Sequence, residues 1–278
     1  MKFSLKAPAK INWFLSVIGR RGDGYHDIAS PMQCVSLFDS ISFEDADEIE
    51  LISDLDLATT DNLVYKAAAR LKEYTSYRGG ARITLRKEIP AAAGLGGGSS
   101  DAAFTLLGLK RLWKLPVGER DLMDIGSAIG SDVPFFIKGP FSLIEGRGEK
   151  VSPLKVESPV SLLLVKPDIS ISTAWAYRSH KTELTKKCVD IKLFCQTLDR
   201  KDFSSLREMI FNDLEKTVIG KYHVIGEIKK MLVENGAVIS SMSGSGPTVF
   251  GVFNSVDQAR KASANMGENW CRVVRTLV

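Results

Sequence analysis

Apolar residues recur along this chain with two different periods. From Asn62 to Tyr74 they fall at steps of three or four, at Leu63, Ala67, Leu71 and Tyr74. That spacing predicts an amphipathic helix with Thr60 or Asp61 as its cap. The same period predicts helices over 101–113, with Ala102, Leu106, Leu109 and Trp113 on one stripe, and over 119–129, with Gly130 as the stop. Further helices are predicted over 223–235 and 256–266. Residues 81–89 instead alternate: Ala81, Ile83 and Leu85 on one face, Arg82, Thr84 and Arg86 on the other. This is the pattern of a half-buried strand. Short apolar runs at 13–18, 160–165 and 248–253 predict further strands.

Strand-like and helix-like stretches therefore intermix, without an internal repeat or a low-complexity linker. Residues 153–159, with Pro153 and Pro159 between strand-like runs, make the best boundary. The pattern predicts two closely packed α+β lobes.

Composition narrows the class. The 278 residues are 44% hydrophobic and 25% charged, as in ordinary globular proteins. The 37 basic and 33 acidic residues leave a net charge of +4 and form no block of one sign, so no nucleic-acid partner is expected. Lys6, Pro8, Lys10 and Asn12 interrupt the first 18 residues, and no stretch is apolar enough to span a bilayer. No membrane partner and a cytoplasmic location are expected. The cysteines Cys34, Cys188, Cys195 and Cys271 form no C-x-x-C pair, so they read as reduced structural thiols, and no metal-ligand set is assigned.

The chemistry concentrates in Pro90-Ala91-Ala92-Ala93-Gly94-Leu95-Gly96-Gly97-Gly98-Ser99-Ser100, between a predicted strand and a predicted helix. A helix N-terminus offers unpaired N–H groups and partial positive charge, and glycines let backbone wrap an anion. The segment predicts a phosphate cradle. It is not a Walker A loop, because no lysine follows Gly98. Nor is it a G-x-G-x-x-G dinucleotide loop, because Ser99 stands at the third glycine.

Other candidates say less by themselves. Lys10, in Ala7-Pro8-Ala9-Lys10-Ile11-Asn12, is a basic residue among apolar ones, and such lysines ordinarily snorkel to solvent. Tyr25 and His26, after Arg20-Arg21-Gly22-Asp23-Gly24, read as a polar turn or as a ring and an imidazole for a base. Asp132, in Gly130-Ser131-Asp132-Val133-Pro134, reads as a turn carboxylate or a general base. Ser243-Gly244-Ser245-Gly246 reads as a tight connection or a second anion loop.

In this order the motifs resemble those of the GHMP kinases, over nearly the whole chain. The glycine-rich segment resembles the family's ATP-binding motif, with Ala92 where close relatives often have glycine, which predicts an altered local turn. The resemblance implies an α+β fold: an N-terminal ribosomal-protein-S5-type lobe over 1–155 that binds ATP and a ferredoxin-like lobe over 156–278. It implies Lys10 and Asp132 as catalytic residues, with Asp132 the base. ATP would lie on residues 90–100 near Asn62, with Mg²⁺ on its phosphates. The Arg-Arg-Gly-Asp-Gly-Tyr-His stretch resembles the branch acting on a cytidine-diphosphate-linked methylerythritol in non-mevalonate isoprenoid synthesis. Asn12, Tyr25, His26, Tyr177 and the Ser243–Gly246 loop would then hold that acceptor. Asn212-Asp213-Leu214-Glu215 also matches this branch and is expected on a helix, in a structural role. A monomer or weak homodimer is expected.

Overall fold

A computed structural model describes residues 2–55, 58–180 and 189–278. Cys188 therefore lies outside the described residues, whereas Cys34, Cys195 and Cys271 are free thiols. In chain order the elements are β1 (Lys2–Asn12), β2 (Ser16–Arg20), β3 (His26–Ala46), β4 (Ile49–Ser53), α1 (Leu63–Thr75), β5 (Gly80–Arg86), α2 (Gly97–Leu112), α3 (Glu119–Ser127), α4 (Val133–Lys138), β6 (Phe141–Gly146), β7 (Lys150–Pro153), β8 (Ser161–Lys166), α5 (Thr173–Ser179), α6 (Ile191–Asp199), α7 (Phe203–Met209), α8 (Glu215–Lys221), α9 (Val224–Glu234), β9 (Ile239–Met242), β10 (Val249–Phe253), α10 (Val256–Ser263) and β11 (Trp270–Arg275). None of the described helices is long and apolar enough to cross a membrane.

The chain clusters into two compact units whose segments interleave. The first is Met1–Ala9, Leu37–Ala91 and Gly96–Gly139; the second is Lys10–Ser36, Ala92–Leu95 and Pro140–Val278. Residues 153–159 fall inside the second unit.

In the first unit the later part of β3 pairs antiparallel with β5, from Ser40 opposite Arg86 to Ala46 opposite Gly80. β4 runs parallel to β5, with α1 as the crossover between them. Ile41, Phe43 and Ile83 point into a core closed by Leu71 of α1 and Leu106 and Leu109 of α2, all fully buried. A Cβ on Gly108 would stand 2.3 Å from the Phe43 ring, so glycine is what lets α2 lie on that ring.

In the second unit the early part of β3 pairs with β2 and β6, and β6 pairs with β7. A separate antiparallel sheet has the order β11-β8-β10-β9. Its chain order is β8, helices, β9, β10, α10, β11, the ferredoxin-like arrangement the resemblance implied. β8 and β10 are buried almost throughout, which is why they read as continuous apolar runs.

Three expectations shift. The cap of α1 is Asn62, whose Oδ1 accepts the Val64 N–H at 2.9 Å, while Thr59–Asp61 form a short 3-10 turn. α2 starts at Gly97 and not at residue 101: the glycine-serine run is itself the first helical turn, where unpaired N–H groups make helix propensity matter less. Residues 13–18 are not one strand, because β1 ends at Asn12 and β2 starts at Ser16. Trp13, Phe14 and Leu15 are apolar because they are buried; Trp13 meets the edges of Phe194 and Phe250 at 6.3 and 5.9 Å.

Candidate functional site

The glycine-rich segment has an uncommon backbone. Ala92, Gly94 and Gly96 all take left-handed φ, at 49°, 75° and 70°. Left-handed residues alternating with ordinary ones curl the chain into a concave row of N–H groups, the geometry of an anion nest. Three consecutive carbonyls are turned away from that row. Ala93 O accepts from Thr248 N–H at 3.2 Å, Leu95 O from Lys10 N–H at 2.9 Å, and Gly94 O from Ser243 Oγ at 3.0 Å. Ala92 itself takes the left-handed conformation, which a glycine would adopt at less steric cost. A Cβ on Gly94 would stand 2.5 Å from Ser243 O, so that position admits only glycine.

The run continues into α2. Among the described residues, the N–H groups of Gly97, Gly98 and Ser99 donate to no protein acceptor, and the helix dipole adds its positive end there. A buried ionic cluster ties both ends of this turn. Asp39 Oδ1 accepts from the N–H groups of Glu88 and Ile89 at 2.6 and 2.9 Å, just before the loop. Lys87 Nζ donates to Asp39 Oδ2 and to Asp101 Oδ2, the latter at 2.7 Å, in the second turn of α2. A Cβ on Gly97 would press on Ile89 at 2.9 Å and on the Lys87 ammonium at 3.2 Å. Burial, partly opposed by Lys87, pushes the Asp101 carboxyl up to about 7. Nothing local in the sequence pointed to Asp39, Lys87 or Asp101, because the contacts span 14 and 48 residues.

In the second unit Lys10 is nearly buried, at 4% exposure, so it does not snorkel. Its Nζ donates to Asn12 Oδ1 at 2.6 Å; Asn12 Nδ2 donates to Ser30 Oγ at 2.8 Å; Ser30 Oγ donates to Phe14 O at 2.6 Å. This relay fixes the ammonium and occupies the Asn12 side chain on both sides. Ser30 is fully buried and had no sequence signal, being an isolated serine in β3. Gly244 closes over the pair: a Cβ there would lie 3.2 Å from Asn12 Oδ1 and 3.3 Å from Lys10 Nζ. Ser245 Oγ shares a 2.9 Å hydrogen bond with Thr173 Oγ1 at the start of α5.

The same unit carries the aromatic candidates. The His26 and Tyr177 rings lie 5.4 Å apart, tilted by 33°. Burial first, then the charges of Arg20 and His180, lowers the His26 pKa, so the imidazole is neutral near pH 7 and offers one donor and one acceptor. Tyr25 is exposed, with the Arg147 guanidinium 5.6 Å from its ring centre.

In the first unit Asp132 precedes α4. It is half-buried and makes no side-chain cap to that helix. Asn62 is buried and engaged in capping α1.

Residues 62–140 match the family model of the GHMP kinases N terminal domain, and residues 192–271 that of the GHMP kinases C terminal. The 4-diphosphocytidyl-2-C-methyl-D-erythritol kinase of Thermodesulfovibrio yellowstonii is 49% identical over 98% of this chain and 97% of its own. That of Caldanaerobacter subterraneus subsp. tengcongensis is 44% identical over 94% and 92%. A crystal structure of 4-(cytidine 5'-diphospho)-2C-methyl-D-erythritol kinase superposes with a TM-score of 0.87 at 32% identity, covering 99% of this chain and 100% of that one. Homoserine kinase from Cytophaga hutchinsonii, at TM-score 0.73 and 18% identity over 100% of this chain and 95% of its own, shares the fold.

Proposed function

We infer the reaction from a plain premise: the chain belongs to the GHMP kinase family, among its 4-diphosphocytidyl-2-C-methyl-D-erythritol kinases. The protein transfers the γ-phosphoryl group of ATP to the 2-hydroxyl of 4-diphosphocytidyl-2-C-methyl-D-erythritol, a step of non-mevalonate isoprenoid synthesis. The observation that carries the acceptor is the neutral His26 beside the Tyr177 ring, in the same unit as Lys10. A neutral imidazole can donate to and accept from the edge of a cytosine, and a ring can stack on its face.

The N–H groups of residues 97–99 and the curled backbone before them hold the ATP phosphates. Lys10, held by Asn12, stabilises charge on the transferring group. Asp132 accepts the proton of the attacking hydroxyl. The N–H groups of Gly244 and Ser245 donate to no acceptor among the described residues and bind acceptor phosphate.

Mg²⁺ fits the donors present. Ser100 Oγ is buried without a hydrogen-bond partner among the described residues, and a hydroxyl is the hard oxygen this ion takes. When bound it neutralises phosphate charge. Residues 1–155 serve as the ATP lobe and 156–278 as the second lobe of a cytoplasmic monomer or weak homodimer.

The test is to incubate the protein with ATP, Mg²⁺ and each of several acceptors, and to follow ADP. ADP formed with the cytidyl acceptor alone supports the reading. ADP formed with homoserine or a sugar instead would replace it.

A further inference from the structure

Asn212 lies in no motif that touches phosphate, and it stands just before α8, not on a helix. Yet its side chain reaches the turn that closes over Lys10. Its Nδ2 donates to Met242 O at 2.9 Å and to Gly244 O at 2.7 Å, and its Oδ1 accepts the Leu214 N–H at 3.0 Å. All the hydrogen-bonding capacity of this amide except further lone pairs is therefore spent, in a site only 8% exposed.

The backbone on either side of Asn212 is fixed too. Leu15 N–H donates to Phe211 O at 2.9 Å, Asp213 N–H donates to Leu15 O at 3.0 Å, and Val17 N–H donates to Asp213 Oδ2 at 2.7 Å. Leu15 lies three residues beyond Asn12, where the strand that carries Lys10 ends. Asn212 is thus anchored by its backbone to the chain just beyond Lys10 and Asn12. By its side chain it is anchored to the turn that packs on them. Glu215 supports the same turn by accepting the Met242 N–H at 2.9 Å.

Gly244 takes a left-handed φ of 57°. The carbonyl that follows that torsion is the one Asn212 holds, so the amide pins the turn where Gly244 meets Lys10 Nζ and Asn12 Oδ1. The Gly244 and Ser245 N–H groups take their direction from the same torsions.

We propose that Asn212 is a positioning residue for phosphoryl transfer, holding the Ser243–Gly246 turn in register with Lys10. It touches neither substrate. It acts through Gly244, and the inference rests on the kinase reading above. Misplacing a reacting group by about 1 Å can cost about 100-fold in rate.

The experiment compares wild type with Asn212→Asp and Asn212→Ala. Asn212→Asp keeps the size and the acceptor for Leu214 but removes both donors. Asn212→Ala serves if the aspartate variant does not fold. Turnover is measured with ATP and the cytidyl acceptor. Binding of a non-hydrolysable ATP analogue is measured by calorimetry, which also counts competent sites. The expected result is a kcat lower by about tenfold or more, with one analogue bound per chain at a Kd within about threefold of wild type. A kcat within twofold of wild type in a folded variant would overturn the proposal. So would loss of analogue binding in step with kcat, which would make Asn212 a residue of the fold alone. A wild-type chain that forms no ADP with the cytidyl acceptor would overturn the kinase reading, and this proposal with it.

Discussion

Asp101 shares one buried cation with Asp39, and that arrangement has a consequence for stability. Its carboxyl keeps its proton to about pH 7 in the fold, against an ordinary value of 3.8. Between those values the folded chain holds a proton that the unfolded chain has released, so stability falls as pH rises through that window. Asparagine resembles the protonated form. Asp101→Asn is therefore expected to match wild type at pH 4 and to be more stable at pH 8, on the order of 1 to 3 kcal/mol, in urea titrations at both pH values. A variant less stable than wild type at pH 8 would show that Lys87 prefers two charged partners. His26 titrates in the opposite sense. Its lowered pKa keeps it neutral, so acceptor KM should stay flat from pH 8 down to the ordinary imidazole value near about 6.5 and rise only below it. In His26→Gln that acid rise should vanish, while KM for ATP stays unchanged. An unaltered pH profile would remove His26 from the acceptor site.

The glycine-rich turn shows that elements, not residue types, decide which positions are strict. Ala92 and Gly94 both have left-handed φ, but only Gly94 faces a wall, with Ser243 O 2.5 Å from where its Cβ would be. Gly94→Ala should cost about 2 kcal/mol or more and weaken ATP binding at least about tenfold. Ala92→Gly removes strain but frees the unfolded chain, so stability should change by less than about 1 kcal/mol with ATP affinity kept. Thermal melts and calorimetry separate the two variants. If both behaved alike, the wall at Ser243 would not exist.

These positions also show how far the sequence could be read. Helices with a clean stripe, such as α1 and α9, were legible to within a residue or two, because burial on one face imposes the period. β3 was not legible. Its 21 residues include Pro31, and also Gln33 and Asp39, whose side chains serve partners elsewhere in the chain, and these break the alternation. The glycine-rich loop stood out as a candidate because glycines and serines at a strand-to-helix junction carry their own physics. The supports around it were not. Ser30, Asp39, Lys87 and Thr173 are unremarkable in sequence and gain meaning only through contacts made by folding. Asn212 belonged to a recognisable segment, but its work is on a turn 30 residues away.

In the proposed reaction the whole molecule supplies a phosphate cradle, a fixed ammonium and a base-reading aromatic cluster for a single transfer. ATP binding alone would not test this, because every kinase of the fold shares that ability. The most direct measurement extends the acceptor comparison by locating the phosphate in the product with ³¹P NMR after reaction with ATP and Mg²⁺. The account predicts stoichiometric ADP and one new phosphomonoester on the 2-oxygen of the methylerythritol moiety, with the cytidine diphosphate intact. A phosphate at another hydroxyl, or turnover of homoserine or a sugar in place of the cytidyl compound, would contradict it.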